Sequence, residues 1–166
     1  MQKTNAMRLL EAANISFTVK EYPVDEAELS GGVPARGAGI RTAALIGVPA
    51  EQIFKTLVLQ GASLSYFVCC IPAAEELDLK KAARASGEKK VDLIAVKDLL
   101  PLTGYVRGGC TPIGMKKPFP LFIDETAELF DTICISAGEI GKQIVIAPGD
   151  LVRYTGAVLA DLTVAG

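Results

Sequence analysis

Residues 53–71 read IFKTLVLQGASLSYFVCCI and predict a β-hairpin. Both arms, IFKTLVLQ at 53–60 and LSYFVCCI at 64–71, are rich in β-branched and aromatic residues, and the connection between them contains Gly61. The second arm is apolar on both faces, whereas a strand with one solvated face alternates between apolar and polar residues. We therefore expect the second arm to lie in the middle of a sheet.

Around the hairpin, helices and strands are interspersed without a regular order. Helices are predicted at 4–13 with Thr4 as N-cap, 40–47, 77–87 between the cap Asp78 and Gly87, 96–102 with Pro101 as a breaker, and 148–156. Further strands are predicted at 16–22, 89–95, 121–124, 132–136, 143–147 and 158–164. Residues 23–39 are rich in Gly, Pro and Glu and predict a loop. The chain, 1–166, is thus expected to be a single α+β domain around a mixed, strongly curved sheet.

The chain contains no histidine, which excludes several classes of enzyme and metal site. Its 166 residues are 50% apolar and 22% charged, a composition typical of globular proteins. Without histidine, the chain itself holds no Ser-His-Asp triad, no Cys-His pair and no His-ligated zinc site. No other ligand cluster is visible, so we expect no metal and no cofactor. No apolar run approaches the roughly 20 residues that span a membrane.

Charge and cysteine content indicate the environment of the protein. The net charge is −2, but residues 80–117 carry nine basic and three acidic groups, so this segment is +6 and the rest is −8. Such asymmetry is compatible with a face that attracts phosphates, and equally with an ordinary solvated face. The four cysteines form no C-x-x-C motif, and the N-terminus carries no signal peptide, so a reduced, cytoplasmic chain is expected.

Lys55 lies in the middle of an otherwise apolar strand face, with Ile53, Leu57 and Leu59. A lysine is rarely buried without a partner, because removing water from an ammonium group is costly. In a structural interpretation, the stem packs and the head group reaches water near an edge. In a functional one, a charged head group binds a phosphate or polarises a carbonyl, and a neutral one acts as base or nucleophile.

Two glycine-rich segments are candidates for binding a ligand through the backbone. TGYVRGGCTPIG at 103–114 contains adjacent glycines, which permit close approach and leave amide N–H groups for an oxyanion or a terminal ribose. SAGEIGK at 136–142 follows a strand, so Ser136 and its glycines could line the same pocket. The alternatives are an ordinary irregular turn for the first segment, which is neither a P-loop nor a dinucleotide fingerprint, and a glycine-rich hairpin loop for the second. Cys110 lies in the first segment without a histidine to activate it, so we expect no nucleophilic role for it.

The order of these motifs resembles that of the YbaK/EbsC family, the free-standing relatives of the editing domain of bacterial prolyl-tRNA synthetases. The chain carries Phe-Lys-Thr-Leu at 54–57, Leu-Asp-Leu-Lys-Lys at 77–81, Thr-Gly-Tyr-x-x-Gly-Gly-x-x-Pro-x-Gly at 103–114 and Ser-x-Gly-x-x-Gly at 136–141. The resemblance covers nearly the whole chain, and GMKKPFP at 114–120 is similar to the YbaK branch, whose members deacylate Cys-tRNA(Pro). It implies a mixed, β-barrel-like sheet with surrounding helices.

The resemblance also implies a trans-editing deacylase that cleaves the aminoacyl ester of mischarged tRNA, above all Cys-tRNA(Pro), with chemistry assisted by the substrate. It implies these catalytic residues: Lys55, Gly108 and Gly109. It implies these substrate-binding residues: Tyr22, Thr56, Thr111, Pro112, Gly114, Ser136 and Gly138, with Gly141 in the same loop. Contact with tRNA falls to Lys80, Lys81, Lys89, Lys90, Lys116 and Lys117. The implied partners are the 3′ acceptor end of tRNA and prolyl-tRNA synthetase.

Two other functions remain open at this point. A non-catalytic module would grip a tRNA end or a nucleotide in the same pocket without turnover. This alternative rests on the serine loop, where many YbaK-type members carry Ser-Gly-Gly-Lys-Arg-Gly and this chain has Ser-Ala-Gly-Glu-Ile-Gly. A deacylase of the same class could instead be specific for Ala-tRNA(Pro).

Overall fold

The computed structural model describes residues 2–24 and 38–164, and the strands in these ranges form two sheets. The strands are β1 Thr18–Glu21, β2 Phe54–Gly61, β3 Tyr66–Pro72, β4 Val91–Leu93, β5 Leu121–Asp124, β6 Ile133–Ser136, β7 Lys142–Ile146 and β8 Val158–Ala160. Each predicted strand has a counterpart, with ends that differ by up to a few residues. The mixed α+β class is confirmed.

The predicted hairpin is present and forms the centre of the larger sheet. β2 and β3 are antiparallel, from Phe54 opposite Pro72 to Gln60 opposite Tyr66. The strand order is β4-β2-β3-β5-β8, so β3 is the middle strand, as its two apolar faces predict. β5 runs parallel to β3, and β8 runs parallel to β5, which makes the sheet mixed.

The two sheets do not close into a barrel within the described residues, because β1, β7 and β6 form a separate antiparallel sheet. The two sheets meet at a single parallel bridge between Ile53 and Cys134. β3 occupies one edge of β2, and β4 pairs with the other edge from Leu59 to Gly61. β6 meets that edge only at its beginning, and the ladder does not extend into a continuous barrel.

Helices cover both sheets. They are α1 Asn5–Ala12, α2 Ala38–Ile46, α3 Leu79–Ser86, α4 Val96–Thr103 and α5 Pro148–Thr155, with 3-10 helices at Ala50–Gln52 and Glu125–Leu129. The predicted caps are confirmed: the Thr4 side chain accepts a hydrogen bond from Met7 N, and the Asp78 carboxylate accepts from the backbone N–H groups of the second and third residues of α3. Gly87 ends α3 in the left-handed conformation.

Two predicted boundaries differ. Pro101 does not end α4, which continues to Thr103. The proline ring removes one N–H donor from the helix, but Thr103 Oγ1 donates to Leu99 O at 2.8 Å and Gly104 N donates to Leu100 O at 2.9 Å. These bonds hold the last turn together. Of the loop predicted at 23–39, residues 25–37 lie outside the described residues, and 38–39 belong to α2.

Three apolar clusters hold the elements together. The main core lies between the two sheets and contains the inward-facing residues of β6 and β7 together with Val58 and Val68. A second cluster joins the other face of the larger sheet to Ala82 of α3. A third packs α2 on the outer face of the smaller sheet, at the Ile53–Cys134 bridge. The outer side of the junction between the two sheets lies between the second and third clusters.

Candidate functional site

Lys55 and Ser136 lie at the junction of the two sheets. The bridge pairs Ile53 with Cys134 in a parallel sense, and side chains alternate along a strand. Two residues further along each strand, Lys55 and Ser136 are level with each other and point to the same face as the bridge residues. This face is the outer side of the junction, where α2 packs.

Lys55 lies on the apolar face predicted for it and is half-buried. Burial lowers the pKa of its ammonium group below the ordinary value of 10.5, and the nearby carboxylates of Glu76 and Glu75 offset part of this effect. Its partner across the hairpin is Ile71, which is fully buried. A partly desolvated cation interacts more strongly with a ligand than one in open water. The functional role of Lys55 stays a prediction.

The smaller sheet contributes three more residues to this face. Gln143 stands opposite Ser136 on one side and Lys20 on the other, and directly opposed residues share a face of the sheet. Tyr22 follows two residues after Lys20 and packs in the cluster beneath α2. Its N–H donates to Gly141 O at 2.9 Å, which connects it to the serine loop. The predicted Tyr22 and Ser136 are thus on the same side of the sheet junction as Lys55.

Gln143 was not predicted, yet it carries the clearest sign of an absent partner. It is only 6% exposed, and its side-chain Oε1 has no hydrogen-bond partner among the described residues. An unsatisfied buried polar group costs about 1–3 kcal/mol, which singles Gln143 out among the residues of this face. In the sequence, Gln143 is the first residue of the strand predicted at 143–147 (QIVIA), where a polar residue is ordinary. The signal that could have found it is its position opposite Ser136.

The two glycine-rich loops touch through their backbones. A Cβ added at Gly109 would lie 3.3 Å from Ile140 N and 3.5 Å from Glu139 Cα, which is tight for any side chain. Within the serine loop, Ser136 Oγ accepts a hydrogen bond from Gly138 N at 3.1 Å. The close approach of Gly109 to residues 139–140 brings together the two segments that the sequence marks as candidates.

The backbone amides of the two adjacent glycines differ in what they are free to do. Gly109 N already donates to Val106 O at 3.0 Å, which closes a turn. Gly108 has a positive φ of 86°, which favours glycine, and its N–H has no hydrogen-bond partner among the residues described. Only Gly108 of this predicted pair is therefore left to donate to a substrate oxygen, while Gly109 provides the close approach.

The remaining residues of this loop divide between the site and the packing. Thr111 is fully buried beside Gly138, and its Oγ1 has no partner within the described ranges. Pro112 is half-buried. A Cβ at Gly114 would lie 2.9 Å from both Asn5 Nδ2 and Leu9 Cδ1 of α1, so this glycine permits close packing. The substrate-binding roles of these three residues stay predictions.

Thr56 is not brought together with Lys55. Because neighbouring residues of a strand face opposite ways, Thr56 points into the space between the sheets. Its Oγ1 lies 3.4 Å from Cys70 Sγ, in the main core. The structure gives Thr56 a packing partner, and its predicted contact with substrate stays a prediction.

The predicted tRNA-contacting lysines differ in their availability. Lys81 is ion-paired with Asp161 at 3.0 Å and donates to Thr163 O at 2.7 Å, so its head group already has protein partners. Lys116 lies along Gly104 and makes a long contact of 3.5 Å with Pro101 O. The other four are exposed: Lys80, Lys89, Lys90 and Lys117.

The cysteines are unsuited to nucleophilic catalysis. All four are free and buried. Burial raises the pKa of Cys69, Cys70 and Cys110 to about 12 and that of Cys134 to about 11. The thiolate is the reactive form, so these groups are inert near neutral pH.

The described residues contain no group of three or more Cys, Asp or Glu side chains that could hold a metal ion. Within the same ranges, no helix has both the length and the apolar character needed to cross a membrane. What the geometry supplies is a half-buried cation, a free amide N–H, an unpaired amide oxygen and an unpaired hydroxyl. None of these four groups is an activated nucleophile.

Comparisons with known proteins identify similar chains. A sequence model of the aminoacyl-tRNA editing domain matches residues 35–154. The chain is 43% identical over 162 residues to EbsC of Enterococcus faecalis (strain ATCC 700802 / V583), a protein named as a candidate Cys-tRNA(Pro)/Cys-tRNA(Cys) deacylase. That similarity covers 98% of this chain and 94% of EbsC.

Solved structures have the same fold. One is described as a candidate trans-editing enzyme for prolyl tRNA synthetase; it shares 26% identity and a TM-score of 0.79, over 98% of this chain and 99% of its own. Another, described only as a hypothetical protein, has a TM-score of 0.80 at 24% identity over 94% of this chain and 97% of its own. At that identity the second structure supports the fold alone.

Proposed function

Because the chain belongs to the aminoacyl-tRNA editing domain family, as its motifs predict, we propose that it hydrolyses the ester of Cys-tRNA(Pro). The observation that carries this proposal is the similarity to EbsC over nearly the full length of both chains. The site geometry supports it, since the groups at the sheet junction can bind and orient an ester without a protein nucleophile. The proposal places the reaction in the cytoplasm, where translation uses charged tRNA.

The chemistry requires orientation more than acid–base catalysis, because an aminoacyl ester is already activated. Lys55 anchors the terminal ribose or phosphate and holds the ester in register. The free N–H of Gly108 donates to the ester carbonyl oxygen, where negative charge develops during attack. Gly109 allows the loop to lie against the backbone of residues 139–140, which fixes the direction of the Gly108 amide.

The substrate supplies the nucleophile. The thiol sulfur of the esterified cysteine attacks its own carbonyl carbon and forms a carbon–sulfur bond, while the bond to the tRNA 3′ oxygen breaks. The thiol proton passes to that oxygen, so tRNA leaves with a free hydroxyl and cysteine leaves as a cyclic thioester that water opens. This route needs no histidine and no reactive protein thiol, and the chain has neither.

Weak attraction to the tRNA comes from the basic segment 80–117. Exposed lysines there neutralise phosphates of the acceptor stem, and this type of binding weakens as salt rises. The selection of one tRNA from others is proposed to need prolyl-tRNA synthetase as a partner that holds the same substrate.

Single-turnover hydrolysis of charged tRNA tests the proposal. Purified protein in excess is mixed with Cys-tRNA(Pro), Cys-tRNA(Cys), Ser-tRNA(Pro) or Ala-tRNA(Pro), and the loss of labelled amino acid is followed. We expect rapid loss of cysteine and slow loss of serine, which has a hydroxyl in place of the thiol. Lys55→Ala should remove the activity while the protein keeps its thermal unfolding transition.

The other outcomes separate the alternatives. Loss of alanine with retention of cysteine would move the protein to the sibling specificity. Retention of every amino acid, with uncharged tRNA still bound, would establish a non-catalytic binding module and overturn the proposal. Wild-type hydrolysis by Lys55→Ala would remove Lys55 from the mechanism.

A further inference from the structure

A second concave site lies beside the glycine-rich loop. Its volume is about 400 Å³, which falls in the range of roughly 300–1,000 Å³ that holds small organic groups. Val68 and Leu121 of the larger sheet form part of its lining, together with the rings of Phe119 and Tyr154, and Lys117 is at the same cavity. We call it the aromatic cavity. No residue of the proposed ester site other than the loop residues Pro112 and Gly114 lines it.

The lining of the aromatic cavity matches the chemistry of a nucleotide. Both rings are half-buried, so part of each remains accessible, and an edge contact with Tyr66 at 6.1 Å between ring centroids holds Phe119 in place. Lys117 is exposed and forms no ion pair with any described residue. Aromatic faces beside a cationic side chain are the combination that binds single-stranded nucleic acid, by stacking the base and neutralising the phosphate.

The charge of the lining distinguishes this cavity from its neighbour. Among the described residues, no Asp or Glu lines the aromatic cavity. The neighbouring cavity, of about 240 Å³, is lined by Asp92 and Asp98 together with Lys90. Two carboxylates against one ammonium group repel a phosphate. The aromatic cavity is therefore the one of the two that suits an anionic ligand with an apolar ring.

The chain itself connects this cavity to the ester site. Pro112 lines the cavity, and it lies three residues after Gly109, which touches the serine loop. Three residues span at most about 11 Å between Cα atoms. An RNA strand with its 3′ end at Gly108 can therefore reach the aromatic cavity with the nucleotides that precede the terminal adenosine.

We propose that the aromatic cavity binds one of the two nucleotides preceding the terminal adenosine of the tRNA acceptor end. The base stacks on Tyr154 or Phe119, and Lys117 pairs with its phosphate. This inference rests on the proposed function, because it takes the tRNA 3′ end as the ligand. It adds a subsite that holds the strand while the ester lies at Lys55.

The test measures the binding of a short single-stranded RNA that ends in CCA and carries no amino acid. Each of the two nucleotides before the terminal adenosine is made abasic in turn, and dissociation constants are measured for the wild type and for Tyr154→Leu. We expect one abasic RNA to bind the wild type about 5- to 100-fold more weakly. Tyr154→Leu should bind intact RNA with a similar loss, and the abasic change should then have little further effect.

Two more variants keep the test independent of folding. Tyr154→Phe retains the ring, so it should bind as the wild type does. Lys117→Gln, an exposed change, should reduce the slope of log Kd against log salt by about 0.7. Lys97→Gln removes the same charge from the same basic segment outside the cavity and should change the slope less.

The proposal is overturned if both abasic RNAs bind the wild type as tightly as intact RNA, or if the abasic loss persists unchanged in Tyr154→Leu. Equal slope changes in Lys117→Gln and Lys97→Gln would also overturn it. Because the RNA carries no amino acid, the result does not depend on turnover. If the abasic loss depends on Tyr154 but the protein does not hydrolyse the ester, this subsite stands and the proposed reaction is overturned. If the protein hydrolyses the ester but the abasic loss does not depend on Tyr154, the reaction stands and the subsite is overturned.

Discussion

Replacing Gly109 by alanine is expected to slow ester hydrolysis about tenfold in kcat/KM while the protein remains folded. The added Cβ would lie 3.3 Å from Ile140 N and 3.5 Å from Glu139 Cα. Comfortable carbon contacts are about 3.5–4.0 Å, so the two loops must separate by a few tenths of an ångström. The neighbouring atoms are backbone, and no side-chain rotation can relieve the contact.

The size of the effect follows from this displacement. A misplacement of about 1 Å near reacting groups costs on the order of 100-fold in rate, and half of that distance corresponds to about tenfold. Overpacking destabilises by about 1–3 kcal/mol, and this mild contact belongs at the lower end. For a chain of this length, about 1 kcal/mol lowers Tm by roughly 2–4 °C. Gly109→Val adds two more methyl groups and should abolish turnover.

The assay is single-turnover hydrolysis of Cys-tRNA(Pro), with Tm measured on the same preparations. Gly149→Ala is the matched control, since a Cβ there would meet only Arg153 Nη1 at 3.8 Å, in α5. This variant should keep the wild-type rate and gain about 0.4–1 kcal/mol of stability. Wild-type hydrolysis by Gly109→Ala would refute the reasoning, as would a rate loss explained entirely by unfolded protein.

Three further results are expected. Lys55→Met should lose hydrolysis yet keep or gain stability against urea, because burial disfavours the charged ammonium. In the wild type, the rate that depends on Lys55 should fall as pH rises, because the ammonium group loses its proton, and the midpoint of this fall should lie below pH 10.5. Gln143→Met, which lacks the unpaired oxygen, should lower kcat/KM about 5- to 10-fold without loss of Tm, and a variant as active as the wild type would exclude Gln143 from binding. The three thiols whose pKa burial raises from 9.0 to about 12 stay protonated in the folded state above pH 9, when unfolded thiols ionise. Unfolding at pH 10 should therefore become easier than at pH 8 by about 1 kcal/mol per thiol in urea titrations, and an unchanged midpoint would contradict this.

Local sequence signals predict most of the elements because each depends on neighbouring residues. The two apolar faces of β3 require a central position, and Asp78 and Gly87 mark the ends of α3 by capping chemistry. Whether the two sheets close into a barrel does not follow from such local signals. It depends on where β4 and β6 lie along one edge of β2, and these strands are distant in sequence.

The site shows the same division. Lys55 and the glycine pair stand out in the sequence, since a lysine on an apolar face and two adjacent glycines are unusual by themselves. Gln143 does not, because its meaning comes from standing opposite Ser136 and from having no partner for Oε1. The distinction between Gly108 and Gly109 is equally invisible, since it depends on one hydrogen bond to Val106.

The proposed reaction, in which the substrate supplies the nucleophile, has a consequence for specificity. Cysteine, serine and alanine are so similar in size that a pocket alone could separate them by only about 1–3 kcal/mol, or some 10- to 200-fold. A site that merely orients the ester leaves the choice to the reactivity of the substrate side chain, and only cysteine carries a thiol. The inert cysteines of the protein and its lack of histidine are therefore compatible with high selectivity. In this chemistry, the binding groups need to hold the ester in place, and the thiol of the bound amino acid determines whether the bond breaks.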